Sequence, residues 1–472
     1  MQPALRKRQA LRAQKLVKAL WISALGLAVL AILASLAWTQ INGFGGDGAA
    51  GNTLNGSPIV TGGATPDDDV LQLTDSNNTE GRSLFNNTLQ SYANGFTAQF
   101  TYQNNGTGAG NLADGAAFIL QNDPRGATAL GDTGGALGYG GGNPITSSVA
   151  FEMNIYQPNT IGTSFRSNGF LGGYTAPGNG VNLDSGHPIS ITLTYNPATY
   201  TMTQKLVDGA NIATTSYPVI LTGTLKNNGL AYVGFSGGTG GVNSTQTVTK
   251  YSYTPAAFTA APITLQDGFN APDGTALNGH LPELGTLWTV SVDSAPGALQ
   301  INGGEVNTAG AARVATTGFG LSLSSGHILL VTLREENLGN FFGFLSGWDL
   351  LVGNQTELFF GSVNGSTQNW SVASDHNGTN LLTSTSNFQG ADVALEYAYD
   401  TGATSLFVNN QQVISGTMPS NLAIDGFGFE NNNGGDVKFG DLQAAILVPE
   451  PSAAAYLALG IFGFIRRRKS SC

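Results

Sequence analysis

Glycine interrupts this chain from end to end. Of 472 residues, 66 are Gly, and in a helix interior each costs about 1 kcal/mol relative to Ala. The stretches between glycines are crowded with Thr, Ser, Asn, Val, Tyr and Phe, which favour strands and turns. Gly95 to Gln103, Gly115 to Gln121, Ser148 to Tyr156, Pro188 to Tyr195, Thr199 to Leu206 and Leu230 to Phe235 are apolar or alternating runs bounded by Gly, Asn, Asp or Pro. A second series comprises His327 to Leu333, Asn340 to Leu345, Glu357 to Val363, Asp392 to Tyr399 and Thr404 to Val408. Short strands with turn signals and no helical period predict an all-β chain. Two halves of about 200 residues each predict two β-sandwiches in tandem.

Charge is scarce and unevenly placed. Charged residues make up 10% of the chain, against 41% hydrophobic. Ten of the 19 basic residues lie up to Lys18 or from Arg466 on, which leaves nine against all 30 acidic residues in the stretch between them, a net charge of −21 there. Such a body repels phosphate backbones, so nucleic acid is excluded as a partner. The one cysteine is Cys472, which removes disulfides and Cys-ligated zinc from the body.

At the N-terminus a basic stretch up to Lys18 precedes the apolar run Ala19 to Trp38. This reads as a signal peptide with Ser35-Leu36-Ala37 as cleavage site, or as a retained signal anchor, since about 20 apolar residues span a bilayer. At the other end Val448-Pro449-Glu450-Pro451-Ser452 precedes the apolar run Ala453 to Ile465, closed by Arg466-Arg467-Arg468-Lys469. These last two dozen residues resemble the PEP-CTERM sorting signal of Gram-negative bacteria. The resemblance implies transient membrane anchoring, processing by an exosortase and delivery to the cell surface or extracellular matrix. The expected organisation is a signal segment over 1–37, a Gly/Asn/Thr-rich linker over 38–66, a first sandwich over 67–254, a linker over 255–263, a second sandwich over 264–446 and the sorting segment over 447–472.

Five stretches of the first half carry a further likeness. They are Gly95 to Phe100, Ala113 to Phe118 with Gln121-Asn122, the glycine loop Gly134 to Gly138, the strand Val149 to Asn154, and Tyr232 to Ser236 with Thr239-Gly240. In this order they resemble the legume-type lectin family, whose concanavalin-like jelly roll and sugar-binding function the resemblance implies. It assigns Asp114 as the carboxylate that accepts sugar hydroxyls, Gly134 or Gly135 as the backbone N–H donor, and a cis peptide bond at Ala113-Asp114. Physically, a sugar site needs just such a carboxylate, together with unobstructed backbone and an amide that donates and accepts. Asn154 and Asn159 complete the candidate carbohydrate set. The alternative for Asp114 is a turn aspartate before glycine.

The metal half of the motif departs from the family. The family places Glu-x-Asp and then Asn, Asp and His around a calcium and transition-metal pair, whereas this chain reads Glu152-Met153-Asn154-Ile155-Tyr156-Gln157-Pro158-Asn159. Asn154 replaces a charged ligand and no His follows, so no transition metal is expected. A calcium ion held by Glu152, Asn154, the Tyr156 carbonyl and Asn159 stays open, because hard oxygen ligands are present. The alternative is that Glu152 and Asn154 satisfy loop amides.

Asp267-Gly268-Phe269-Asn270, Asp273-Gly274 and Trp288-Thr289 resemble concanavalin-like or laminin-G-like modules of bacterial surface proteins. There Asp267 and Asp441 are either surface turn residues or structural calcium ligands, and Trp288, Trp348 and Trp370 are either core or sugar-stacking residues. Chemistry is not supported: the Glu-x-Asp-x-x-Glu motif of sandwich glycosidases is missing, Glu335 and Glu336 are adjacent and so on opposite strand faces, and no paired His or nucleophile elbow occurs. The expectation is a non-catalytic exported protein whose first sandwich binds glycan or exopolysaccharide. The alternative is a structural matrix or adhesion protein without sugar recognition, and a sandwich glycosidase comes third.

Overall fold

The computed structural model describes residues 40–447 apart from 76, 106–111, 158, 227–228, 258–259, 294–298, 308–312, 321, 338–345, 354, 364–368, 376–377, 389 and 432–436. The signal segment, the sorting segment and the strand expected at Asn340 to Leu345 lie outside these residues. Among those described, no helix is long and apolar enough to cross a membrane.

The first sandwich has two antiparallel layers. The back sheet runs in the order Asn211–Pro218, Thr201–Asp208, Ile189–Asn196, Phe96–Asn105, Thr245–Pro255, Val70–Gln72, Ile59–Thr61, with Ile41–Asn42 also on Thr245–Pro255. The front sheet runs Gly162–Ser167, Ser148–Asn154, Gly115–Gln121, Leu230–Thr239, Glu80–Asn86, Asn52–Asn55. Alternation in Ile189–Asn196 buries Ile189, Ile191, Leu193 and Tyr195 against the front layer, the period-two pattern of a half-solvated strand. An aromatic cluster joins the layers: Phe100 and Phe118 rings lie 5.7 Å apart, and Phe235 meets Tyr251 edge-on at 4.9 Å. Offset and edge-to-face pairs of this kind add about 0.5–1.5 kcal/mol each beyond burial.

From residue 40 on, the linker expected over 38–66 is instead part of this sandwich. It supplies Ile41–Asn42, Asn52–Asn55 and Ile59–Thr61. The reason is one aromatic in a polar sequence: Phe44 is fully buried, stacks on Tyr251 at 5.2 Å and meets Phe235 edge-on. Asp69 then accepts from the backbone N–H of Phe44 (2.9 Å) and Gly46 (3.0 Å), tying down a segment whose glycines alone would leave it loose.

In the second sandwich one sheet runs Thr275–Ala276, Gln300–Asn302, Glu305–Asn307, Val437–Leu447, Ile328–Asn337, Ala391–Ala398, Ala403–Val408, Gln411–Thr417, with Ile263–Asp267 also on Val437–Leu447. The other runs Thr289–Asp293, Arg313–Gly318, Gly426–Asn431, Ser346–Val352, Gln355–Ser362, Asn369–Ala373, Leu382–Asn387. Trp288, Trp348 and Trp370 are all buried between them: they are core, not sugar platforms. Asp267 and Asp441 are not surface turn residues. Asp267 is fully buried and accepts from the Trp288 indole (2.7 Å) and the Phe269 amide (2.8 Å), with His280 Nε2 at 3.1 Å. Asp441 accepts from Arg334 and from Asn168 of the first sandwich, both at 2.8 Å.

The sandwiches share a junction. Leu330, Ala394, Ala445 and Leu447 of the second belong to the same buried cluster as Ile220, Leu221 and Leu225 of the first. Beside this apolar seam Ser167 donates to Asp392 at 2.6 Å, and Arg166 Nε lies 3.6 Å from the same carboxylate.

Candidate functional site

The front sheet is buried on both faces, and that fact builds the site. Phe85, Ala117, Ile119 and Ala150 point away from the main core, and residues 122–146 fold over them, seating Ala129, Tyr139 and Ile145 against them. Asp123 clamps the ends of this covering loop: it accepts from Arg125 Nε (2.7 Å), the Arg125 amide (2.9 Å) and the Thr146 amide (2.8 Å). Although burial alone would raise its pKa, these donors hold the carboxyl down at about 2. Inside the loop Gly138 has φ 65° and a Cβ there would stand 2.8 Å from the Arg82 carbonyl oxygen, so only glycine permits the descent onto the sheet.

The loop delivers the short 3-10 turn Gly134–Ala136 to Asp114. A Cβ on Gly134 would lie 3.8 Å from Asp114 Oδ2, one on Gly135 3.9 Å from Oδ1, and one on Gly240 3.2 Å from Oδ2. The carboxylate is thus ringed by bare backbone from two loops. Gly240 was not assigned from sequence as a site residue; its place follows from the pairing of Leu230–Thr239 with Gly115–Gln121, which carries the end of one strand to the start of the other. The Ala113-Asp114 peptide bond is cis. The Asp114 amide donates to the Gly238 carbonyl (3.0 Å), its carbonyl accepts from the Ile155 amide (3.1 Å), and Ser244 Oγ donates to the Ala113 carbonyl (3.0 Å). Asp114 Oδ2 has no hydrogen-bond partner, in a residue 6% exposed. Loss of solvent pushes the carboxyl up to about 6.

Glu152 and Asn154 share a face of the next strand, two residues apart. Asn154 pairs with Gly115, directly beside Asp114. Its amide nitrogen donates to the Tyr156 carbonyl (3.0 Å) and the Thr160 carbonyl (2.9 Å). Glu152, fully buried, accepts from Ser164 Oγ (2.7 Å) and the Gly172 amide (3.3 Å), and its burial pushes the carboxyl up to about 8. Asn159 is exposed in the loop beyond, and Pro158 lies outside the described residues. These four residues do not fit a calcium cage: N–H donors of Asn154 face the carbonyl oxygen that a cation would need, and Glu152 is turned to other partners. Among the described residues no three His, Cys, Asp or Glu side chains come together to hold a metal. Asn154 takes over the loop-closing role. Replacing Asn154 with Ala is expected to lower stability by about 1–3 kcal/mol, since two carbonyls lose their donors; urea unfolding of the variant checks this.

The legume lectin domain family matches residues 41–267, the whole first sandwich and the first strand of the second. Among solved structures the chain is similar to a lectin from Bauhinia forficata in complex with GalNAc (18% identity, 46% of this chain and 98% of that one, TM-score 0.39). It is also similar to lectin I-B4 from Griffonia simplicifolia in a metal-free form (19%, 46% and 98%, 0.38) and to peanut lectin with a nine-residue peptide (20%, 46% and 95%, 0.37). No curated protein matches the chain.

Proposed function

We propose that the protein binds glycan, without catalysis, at the loops that bring Gly134, Gly135 and Gly240 to Asp114. The observation that carries the reading is the unpartnered carboxylate beneath glycine backbone. A buried charged acceptor left unsatisfied costs several kcal/mol, and a pair of sugar hydroxyls supplies the donors that the protein withholds. The lectin domain match over 41–267 supports the same reading, as does the absence of paired carboxylates or a nucleophile–base pair in the sequence motifs. The reading extends to the cell surface or matrix of a Gram-negative bacterium, with exosortase as processing partner; only the terminal segments support that part.

The test is a glycan array probed with the full chain and with Asp114→Asn. Glycans bound by the parent and dropped by the variant, with unchanged circular dichroism, support the reading; an array silent for both, or a profile that Asp114→Asn leaves unchanged, overturns it. Binding is expected to survive EDTA, because Asn154 closes the loop that calcium would otherwise order. It is also expected to weaken as pH falls through about 6, where Asp114 takes up a proton and one acceptor is lost; titration calorimetry at pH 5 and 7.5 reads this directly.

A further inference from the structure

We propose a second binding site, for a neutral oligosaccharide, in the cleft where the two sandwiches meet. The cleft measures about 330 Å³ and takes its walls from both: Thr163 to Phe165 and Thr215 to Tyr217 of the first, Phe407 and Asn409 to Gln412 of the second. That volume lies at the small end of the roughly 300–1,000 Å³ range of small-molecule sites, enough for one or two sugar rings with the chain continuing into solvent.

Its chemistry is one-sided. No Asp, Glu, Lys or Arg lines it, although the body as a whole carries many carboxylates and the neighbouring part of the junction concentrates Arg166, Arg334, Asp392 and Asp441. Those charges are spent on one another, Arg166 on Asp392 across the seam and Arg334 on Asp441 within the second sandwich. What faces the cleft is a set of hydroxyls and amides over aromatic rings. Gln411 gives one N–H to the Gly173 carbonyl at 3.3 Å and Gln412 one to Ser405 at 2.9 Å; both residues are exposed, and the rest of each amide is left to donate and accept. Phe165 and Tyr217, with rings 5.4 Å apart, form an apolar floor beside Phe407, and the Tyr217 hydroxyl beneath it has no partner. Amides that pair with either sense of hydroxyl, aromatic faces for C–H groups and no charge together describe a neutral saccharide. A charged ligand would find no counter-ion.

An added peptide strand is the other occupant to weigh, because Gly162–Ser167 and Asn211–Pro218 are both sheet edges. The first edge is already taken: Thr163 pairs with Thr175, and the Phe165 carbonyl accepts from the Asn410 side chain. A strand would have to displace these bonds, whereas a sugar uses the side chains that remain. The cleft is two strands away from the Asp114 strand across the front sheet, so the two sites stand independently.

The experiment is titration calorimetry of the full chain with neutral gluco-, manno- and galacto-oligosaccharides and with uronic-acid oligomers. Asp114→Asn removes the first site, and Thr215→Trp, an exposed position, fills the cleft. The Asp114→Asn chain is expected to keep saturable binding to a neutral oligosaccharide, to weaken about tenfold with Gln412→Ala and to lose it with Thr215→Trp, while near-UV dichroism stays unchanged. Binding unmoved by Thr215→Trp, silence of Asp114→Asn across the neutral panel, or equal binding of uronic-acid oligomers overturns the proposal. Binding sensitive to Thr215→Trp but not to Asp114→Asn would sink the first site and leave this one standing.

Discussion

Replacement of Trp348 by alanine is expected to cost about 3–5 kcal/mol, the range for deleting a large buried aromatic, and to lower the melting temperature on the order of 10 °C for a sandwich of this size. Trp348 is fully buried at the centre of the second core. It stacks on Trp370 at 6.1 Å with rings 13° apart and packs on Phe360 at 5.5 Å and on Phe429 and Phe439 at just over 6 Å. No rearrangement of strands fills a void ringed by rigid rings, so the cavity term persists. The indole nitrogen has no hydrogen-bond partner, so Trp348→Phe, which removes that orphaned donor and keeps a ring, is expected to cost far less than the alanine variant. Every tryptophan among the described residues belongs to the second sandwich, and their fluorescence in a urea titration reads this domain. Equal losses for both variants would refute this account, since phenylalanine refills most of the void that alanine leaves.

The second large effect concerns pH. Glu152 is protonated in the folded chain up to about pH 8, whereas in the unfolded chain it ionises near 4.5. Between those values the folded state binds the extra proton, so stability falls by about 1.4 kcal/mol per pH unit on this account. The contribution is fully present below 4.5 and gone once pH has risen through 8. Burial is the main cause; Ser164, the Gly172 amide and Arg166 act in the opposite sense, and Asp392 adds to the rise. Glu152→Gln keeps the shape and the acceptor for Ser164 and cannot ionise. It is expected to remove this slope, so that parent and variant converge near pH 5 and the variant is the more stable at pH 8.5 by several kcal/mol. Parallel stability curves for the two, from denaturant titrations at half-unit intervals, would refute the assignment.

The pairing of Asp114 with Gly134 and Gly135 was legible because the motif lies in short segments whose residue types leave few options: Ala-Asp-Gly before an apolar strand, and a glycine loop. The strands at Gly115–Gln121 and Ser148–Asn154 were legible for the same reason, as apolar runs cut by turn residues. Gly240 as a site residue was not, because its relation to Asp114 depends on which strands become neighbours. The misread segment was 38–66. Its composition is that of a linker, and one buried Phe44 overrides composition only once Tyr251, some two hundred residues away, is in place.

Asp267 and Glu152 mark the same boundary from the side of chemistry. A carboxylate in sequence carries no sign of its surroundings; Trp288, His280, Ser164 and Gly172 reach these two only through folding. Period-two patterning and glycine punctuation act over a few residues, so the amino-acid order was sufficient for the all-β class, the sandwich arrangement and the nearness of Asp114 to the Gly134 loop. Which edges are covered, which polar atoms stay unpartnered and where the two halves enclose a cleft are set by contacts between residues far apart in the chain, and those were decided only when the sheets packed.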